Sequence, residues 1–337
     1  MKVLVTGAGS MLMAGVAAEL AARGDEVVCL QRRPLALPEG SLIRQAQGDV
    51  RDESAVQRAA EGCDAIVHGA ARVGVTGSWD DFRSVNVDGT ANVLRVARLV
   101  GASRVVHVST PSVAHAGDSI VGAGAQPAVT GRSGAFYAES KAMAEQLALR
   151  ANGVGLAVVA VRPHLVWGPG DTQLVGRIVE RAAAGKLAIV GTGSALIDST
   201  YVDNAVAALV AALDAVHPAA ACGGRAYVIA NGEPRTVREL LQGICDAAGV
   251  PFAPREVPLR LALGVGSVVE RVWPRLRADE PPITRFLAEQ LGTAHWFDPR
   301  PARDELGWSP TVSLDEGFER LRAWFAAGAA ADRSVHP

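Results

Sequence analysis

Five runs rich in Val, Ile, Leu and Ala, "KVLVTG", "EVVCLQ", "AIVHGA", "RVVHVST" and "LAVVAVRP", recur through the first 165 residues, and each leads into a helical period or a loop that opens one. That rhythm leaves few folds open. Antiparallel strands can be joined by tight turns, whereas parallel strands need crossovers of a dozen residues or more, which this spacing supplies. The runs also lack the polar/apolar alternation of a sheet with one wet face, so helices must cover both faces. The reading is an α/β fold, a doubly wound parallel sheet.

After "RPHLVWGPGD" the rhythm changes, and helical patterns dominate apart from the short run "LAIVG" and the strand-like "RAYVIA". Residues 1–165 are therefore expected to form the nucleotide-binding core, with 201–230 returning to it. Residues 166–200 and 231–325 form a smaller, mainly helical lobe, and 326–337, "AAGAAADRSVHP" within a low-complexity end, read as a frayed tail. At 337 residues and 49% hydrophobic, the chain can bury a core of that size.

The charge pattern excludes several function classes. The 33 basic and 35 acidic residues are interspersed, with no basic run, so nucleic acid is not expected as a partner. Cys29, Cys63, Cys222 and Cys245 lie far apart without ligand spacing; they read as buried thiols, and no metal is expected. The apolar stretch "LRLALGVGSVVERVW" (259–273) is interrupted by charge and shorter than the ~20 residues a membrane span needs, so it reads as an amphipathic helix over a pocket. No leader pattern opens the chain, and a cytoplasmic location is expected.

Three stretches carry chemistry. In "VLVTGAGSMLMAG" a strand meets a helix start through Gly7 and Gly9, a turn suited to a pyrophosphate, although Leu12 breaks the GxGxxG pattern. In "YAESK", Tyr137 and Lys141 stand four apart on one helix face, where a cation lowers the pKa of a neighbouring phenol. In "VVHVSTPSV", Thr110 follows a predicted strand, at the edge where doubly wound folds bind ligands, and its hydroxyl can bond a substrate oxygen. Taken individually, Ser109, Thr110 and Ser112 read as turn-capping residues, and His68 and His107, inside strands, as packing residues.

The ordered set "VTGA", "GDVRD", "HGAA", "NVDGT", "HVSTPSV", "YAESK" and "RPHLVWGPGD" resembles the extended short-chain dehydrogenase/reductase family, over nearly the whole chain. "RPHLVWGPGD", "YVDNAV" and "ITRFLAEQLGTAHWFD" are most similar to its 3β-hydroxysteroid dehydrogenase-like and 2-alkyl-3-oxoalkanoate reductase branch. The resemblance implies a Rossmann core and an NAD(P)-dependent oxidoreductase for a bulky apolar alcohol or ketone. It implies Tyr137 as general acid/base, Thr110 as the substrate-orienting hydroxyl, Lys141 as the cation that activates Tyr137 and binds the ribose, and Asn86 as their support. For the cofactor it implies Gly7, Gly9, Ser10 and Met13 at the turn, Gln31 and Arg32 after the second strand, and Asp49 and Val50 along the adenine. Gly69, Ala70 and Ala71 would lie behind it, with Pro163, His164 and Val166 near the nicotinamide.

The chain departs from that pattern at three places. Ser10 and Met13 stand where the family turn has glycines, so Met13 is expected to crowd the pyrophosphate and Met13→Gly to tighten binding. Gln31, Arg32 and Arg33 replace the acidic residue of NAD-preferring members, which favours NADP over NAD. Ile197 stands where sugar-nucleotide epimerases tend to carry an arginine, and Trp79, Trp167, Leu196 and 259–273 read either as apolar pocket walls or as core. An epimerase or dehydratase, and a redox-inactive binding protein, are the alternatives. Two apolar stripes on 86–100 (Val87, Ala91, Leu94; Val93, Val96, Val100) suggest a homodimer through that helix and 137–150.

Overall fold

The computed structural model describes residues 1–35, 42–74, 76–114, 117–131, 135–276 and 284–335. Its first half runs β1 (Lys2–Thr6), α1 (Met11–Ala22), β2 (Glu26–Gln31), β3 (Ile43–Gln47), α2 (Glu53–Ala60), β4 (Ala65–His68) and α3 (Trp79–Phe82). It continues through α4 (Gly89–Val100), β5 (Arg104–Val108), β6 (Ile120–Ala123), α5 (Phe136–Arg150) and β7 (Ala157–Pro163). Seven parallel strands make the main sheet, in the order Ala226–Ile229, β7, β5, β4, β1, β2, β3. The order reverses between β1 and β4, and the carboxyl ends of the strands meet there in the crevice where such folds place ligands.

The strands were readable because their central residues are buried on both faces, as in Val3–Val5 and Ala65–Val67. β3 escaped notice because Arg44, Gln45 and Gln47 give an edge strand little apolar signal. On one face, α6 (Val175–Ala183) lies downstream of the sheet and α7 (Val202–Ala215) packs directly on α1. Gly15 permits that approach, since a Cβ there would lie 2.7 Å from Val206 Cγ2. The later chain adds a four-stranded sheet, ordered Arg235–Thr236, Leu196–Ile197, His295–Phe297, β6, with the helices Val237–Ala248, Leu259–Leu276 and Arg285–Gly292.

One expectation changes: the helix Leu314–Val335 runs into the segment read as a tail, in keeping with the high helix propensity of alanine. Of the two apolar stripes of the 86–100 segment, Val87, Val93, Leu94 and Val96 are buried within the subunit, Ala91 and Val100 are half-buried, and Leu99, in neither stripe, is 64% exposed. Trp167 is a core residue, fully buried and stacked on Phe318 at 4.7 Å.

One polar contact fixes α5 to the sheet. Arg162 of β7 and Glu145 of α5, 1% and 0% exposed, share two bonds of 2.5 and 2.7 Å, and Arg162 Nη1 also donates to the Gln126 carbonyl at 2.7 Å.

Candidate active site

At the end of β1 the chain turns through Gly7, whose φ of 78° lies in the left-handed region. A Cβ there would fall 2.8 Å from the backbone of Ala70, so glycine alone fits. Ser10 needs no glycine. Its backbone is extended (φ −91°, ψ 150°) and it caps α1, accepting from Met13 N at 3.3 Å and donating to the Gly7 carbonyl at 3.1 Å. No acidic residue occupies the first turn of α1, so its dipole remains open to an anion.

Met13 does not crowd that face. It is 1% exposed, and its thioether fills the room left by Gly69, where a Cβ would lie 2.3 Å from Met13 Sδ. The missing glycine at position 13 and the present one at 69 are complementary. Gln31 is the residue drawn over the turn, its amide 2.2 Å from where a Cβ of Gly9 would stand. Arg32 and Arg33 are exposed just beyond it, their carbonyls accepting from Gln47 Nε2 and Gln45 Nε2 at 3.2 and 2.9 Å. Asp49 is held below the usual carboxylate range by Arg51, which bonds it at 2.8 and 3.1 Å. The Val50 side chain, by contrast, is buried against Gly89. Glycine cradle, helix N-terminus and flanking arginines together fit a dinucleotide.

Thr110 follows β5 and caps a short helical turn, Pro111–Val113. Its hydroxyl lies 3.1 Å from Ser112 Oγ and stands near the Tyr137 side chain in the first turn of α5. Burial pushes the Tyr137 pKa up to about 12, and the Thr110 hydroxyl works against that rise. Lys141, one turn on, is buried; burial moves its pKa down to about 8, with Glu145 opposing. Its ammonium donates to the Val108 carbonyl at 2.6 Å. Desolvation thus dominates at the phenol, opposite in sign to the lowering expected from the Tyr/Lys spacing.

Asn86 sits in a π-helical segment, Arg83–Asp88, just before α4. Its side chain accepts from Arg72 N at 2.7 Å and donates to Arg72 O at 3.1 Å, clamping the loop after Gly69, Ala70 and Ala71. It also donates to Ser140 Oγ at 2.9 Å, and Ser140 donates to the Tyr137 carbonyl at 2.9 Å. Ser140 was passed over in the sequence, although its place inside "YAESK" is the signal that marks it.

At the end of β7, Pro163 is buried and Leu165 adopts a φ of 44°, a strained conformation for a residue with a Cβ. His164 Nδ1 bonds the Asp198 carbonyl at 2.7 Å and its ring lies 5.0 Å from Phe297 of the four-stranded sheet, with Val166 half-buried beside it. Burial moves the Asp198 carboxyl up to about 6, against bonds from Gly232 N and Glu233 N at 2.9 and 3.2 Å. Ile197 is buried next to it. Among the described residues no group of three His, Cys, Asp or Glu could hold a metal, and no helix is long and apolar enough to cross a membrane.

Comparison with known proteins matches residues 31–259 to the model of the 3-beta hydroxysteroid dehydrogenase/isomerase family. A 2-alkyl-3-oxoalkanoate reductase of Stenotrophomonas maltophilia (strain K279a) is 45% identical over 330 residues, 97% of this chain and 100% of that protein. A 3 beta-hydroxysteroid dehydrogenase/Delta 5-->4-isomerase of Mycobacterium tuberculosis is 29% identical over 97% of this chain and 90% of its own length. Among solved structures, MoeE5 in complex with UDP-glucose and NAD superposes with a TM-score of 0.75 over 98% of this chain and 100% of that one; at 24% identity it shows the fold alone.

Proposed function

The chain belongs to the 3-beta hydroxysteroid dehydrogenase/isomerase family, and from that premise we propose how its site works. The protein is an NAD(P)-dependent oxidoreductase acting on CH–OH and keto groups. The observation that carries the assignment of roles is the convergence of Thr110, after β5, with Tyr137 and Lys141, one turn apart on α5 and tied to β5 through the Val108 carbonyl, at the carboxyl edge of the sheet.

The bound nicotinamide supplies or accepts the hydride. The remaining work is done by side chains. With its pKa raised by burial, Tyr137 holds its proton at neutral pH and can give it to a ketone oxygen. Thr110 aims that proton and bonds the same oxygen. Lys141 carries its charge below about pH 8, and its ammonium, with one donor on the Val108 carbonyl, would have others for a ribose hydroxyl.

The substrate proposed is a bulky, weakly polar ketone or secondary alcohol, a 2-alkyl-3-oxo acid or a 3β-hydroxysteroid, as the names of the relatives suggest. The buried Ile197 supports this against a sugar nucleotide, whose diphosphate calls for a close arginine or lysine. Turnover of such a ketone with a reduced nicotinamide, and none of UDP-glucose, is the expected result. Epimerisation of UDP-glucose would overturn it.

NADP is proposed as the preferred form, supported by exposed Arg32 and Arg33 at the end of β2. Arg32→Ala is expected to weaken NADPH binding about tenfold, ~1.4 kcal/mol, and to leave NADH binding unchanged. A fluorescence titration with both cofactors reads this directly; equal losses for the two would place Arg32 elsewhere than at a 2'-phosphate.

A further inference from the structure

Between the glycine turn and the helix of Tyr137 runs a line of buried hydrogen bonds whose direction can be assigned atom by atom. Thr90 Oγ1 lies 2.6 Å from the Asn86 carbonyl, an acceptor only, and so spends its single proton there. Toward His68 Nε2, 3.0 Å away, the same oxygen can only accept, which puts the imidazole proton on Nε2. His68 Nδ1 then accepts from the Thr6 hydroxyl at 2.8 Å. With its proton committed, Thr6 Oγ1 uses a lone pair to accept from Ala70 N at 3.1 Å. Burial keeps the ring neutral, moving its pKa down to about 3.

The ends of this line matter. Thr6 directly precedes Gly7, and Ala70 is the residue against which Gly7 is pressed. At the other end, Asn86 clamps the main chain of Arg72 and, through Ser140, the first turn of α5. The register of the parallel strands sets Thr6 beside His68, so the ring spans the gap between β1 and the segment that opens α4.

We propose that His68 is a positioning residue: through one-way hydrogen bonds to Thr6 and Thr90, its imidazole holds the turn at Gly7 in register with the helix that carries Tyr137 and Lys141. The proposal rests on the oxidoreductase reading for its effect on turnover, but not for its effect on cofactor binding. A residue that only filled space at this point would affect stability and leave both unchanged.

The test uses the full-length protein and four variants, with kcat, the NADPH dissociation constant by fluorescence, and the unfolding midpoint. His68→Gln keeps a donor for Thr90 but not the acceptor for Thr6, and Thr90→Val removes the oxygen with little change of shape. Each is expected to lower kcat about tenfold and to raise the NADPH dissociation constant about fivefold. The midpoint should fall by about 2–4 °C. The double variant should be no slower than the slower single, because both act through one line. Thr90→Ser restores the hydroxyl and should return both constants to within about twofold of wild type. Constants within about twofold of wild type in folded His68→Gln and Thr90→Val, or a Thr90→Ser no better than Thr90→Val, would overturn the proposal. If His68→Gln does not fold, the Thr90→Val and Thr90→Ser pair decides alone. If the wild type binds NADPH but reduces no ketone, the oxidoreductase reading fails by itself. The proposal is then judged on the dissociation constants of that pair.

Discussion

Replacing Tyr137 with phenylalanine is expected to lower turnover by ~10²- to 10⁴-fold, the usual contribution of a positioned acid or base, while the protein stays folded and binds NADPH nearly as before. The ring is retained and only the phenolic oxygen is lost. Thr110 keeps its own partner, Ser112 Oγ, 3.1 Å from its hydroxyl. Lys141 bonds the Val108 carbonyl rather than the phenol, so its place survives the change. Steady-state kinetics with a 2-alkyl-3-oxo acid or steroid ketone, beside a cofactor titration, make the comparison. A variant with more than a tenth of wild-type kcat would remove Tyr137 from the mechanism.

Met13→Gly is expected to destabilise the protein by about 3–6 kcal/mol and not to tighten cofactor binding. Emptying a buried methionine site costs about 2–5 kcal/mol, and glycine inside a helix adds up to about 1 kcal/mol. The opposite error is Gly69→Ala, whose new methyl would meet Met13 Sδ at 2.3 Å and cost about 1–3 kcal/mol by overpacking. In the double variant each change supplies what the other lacks, so the summed penalty should be visibly reduced. Urea unfolding of the four proteins measures this. A Met13→Gly protein within about 1 kcal/mol of wild type, and binding NADPH tenfold tighter, would reinstate the steric conflict inferred from the sequence.

These two residues show where the sequence could be read and where it could not. Tyr137, Lys141 and Thr110 were legible because their placement needs only a helical period and the end of an apolar strand. The direction of the Met13 side chain was not, since it depends on a void left by Gly69, far away in the chain. His68 was likewise visible only as a buried ring: its partners Thr6 and Thr90 lie 62 and 22 residues distant, and strand register alone joins them. The stripes of α4 are of the same kind, as an apolar period reveals a buried face but not whether the cover comes from the same chain. β3 was missed because an edge strand with Arg44, Gln45 and Gln47 carries its information in its neighbour's backbone.

The ion pair between Arg162 and Glu145 has a consequence for selection. Apart from Glu145 and Lys141, the buried face of α5 is built of small side chains, Ala138, Ala142, Ala144 and Ala148, together with Ser140, which offer shallow ridges. The bidentate pair, one turn from the bond of Lys141 to the Val108 carbonyl, acts as a notch on that surface and helps to set how far along its axis the helix sits. Buried pairs of this kind add little stability over an apolar pair of equal volume, and their best-attested use is to fix registry. Selection for heat resistance alone would therefore be free to erase the notch. Lineages evolved under that single pressure are expected to gain robustness while losing the alignment of Tyr137, and pressure on turnover must be applied alongside it to keep both.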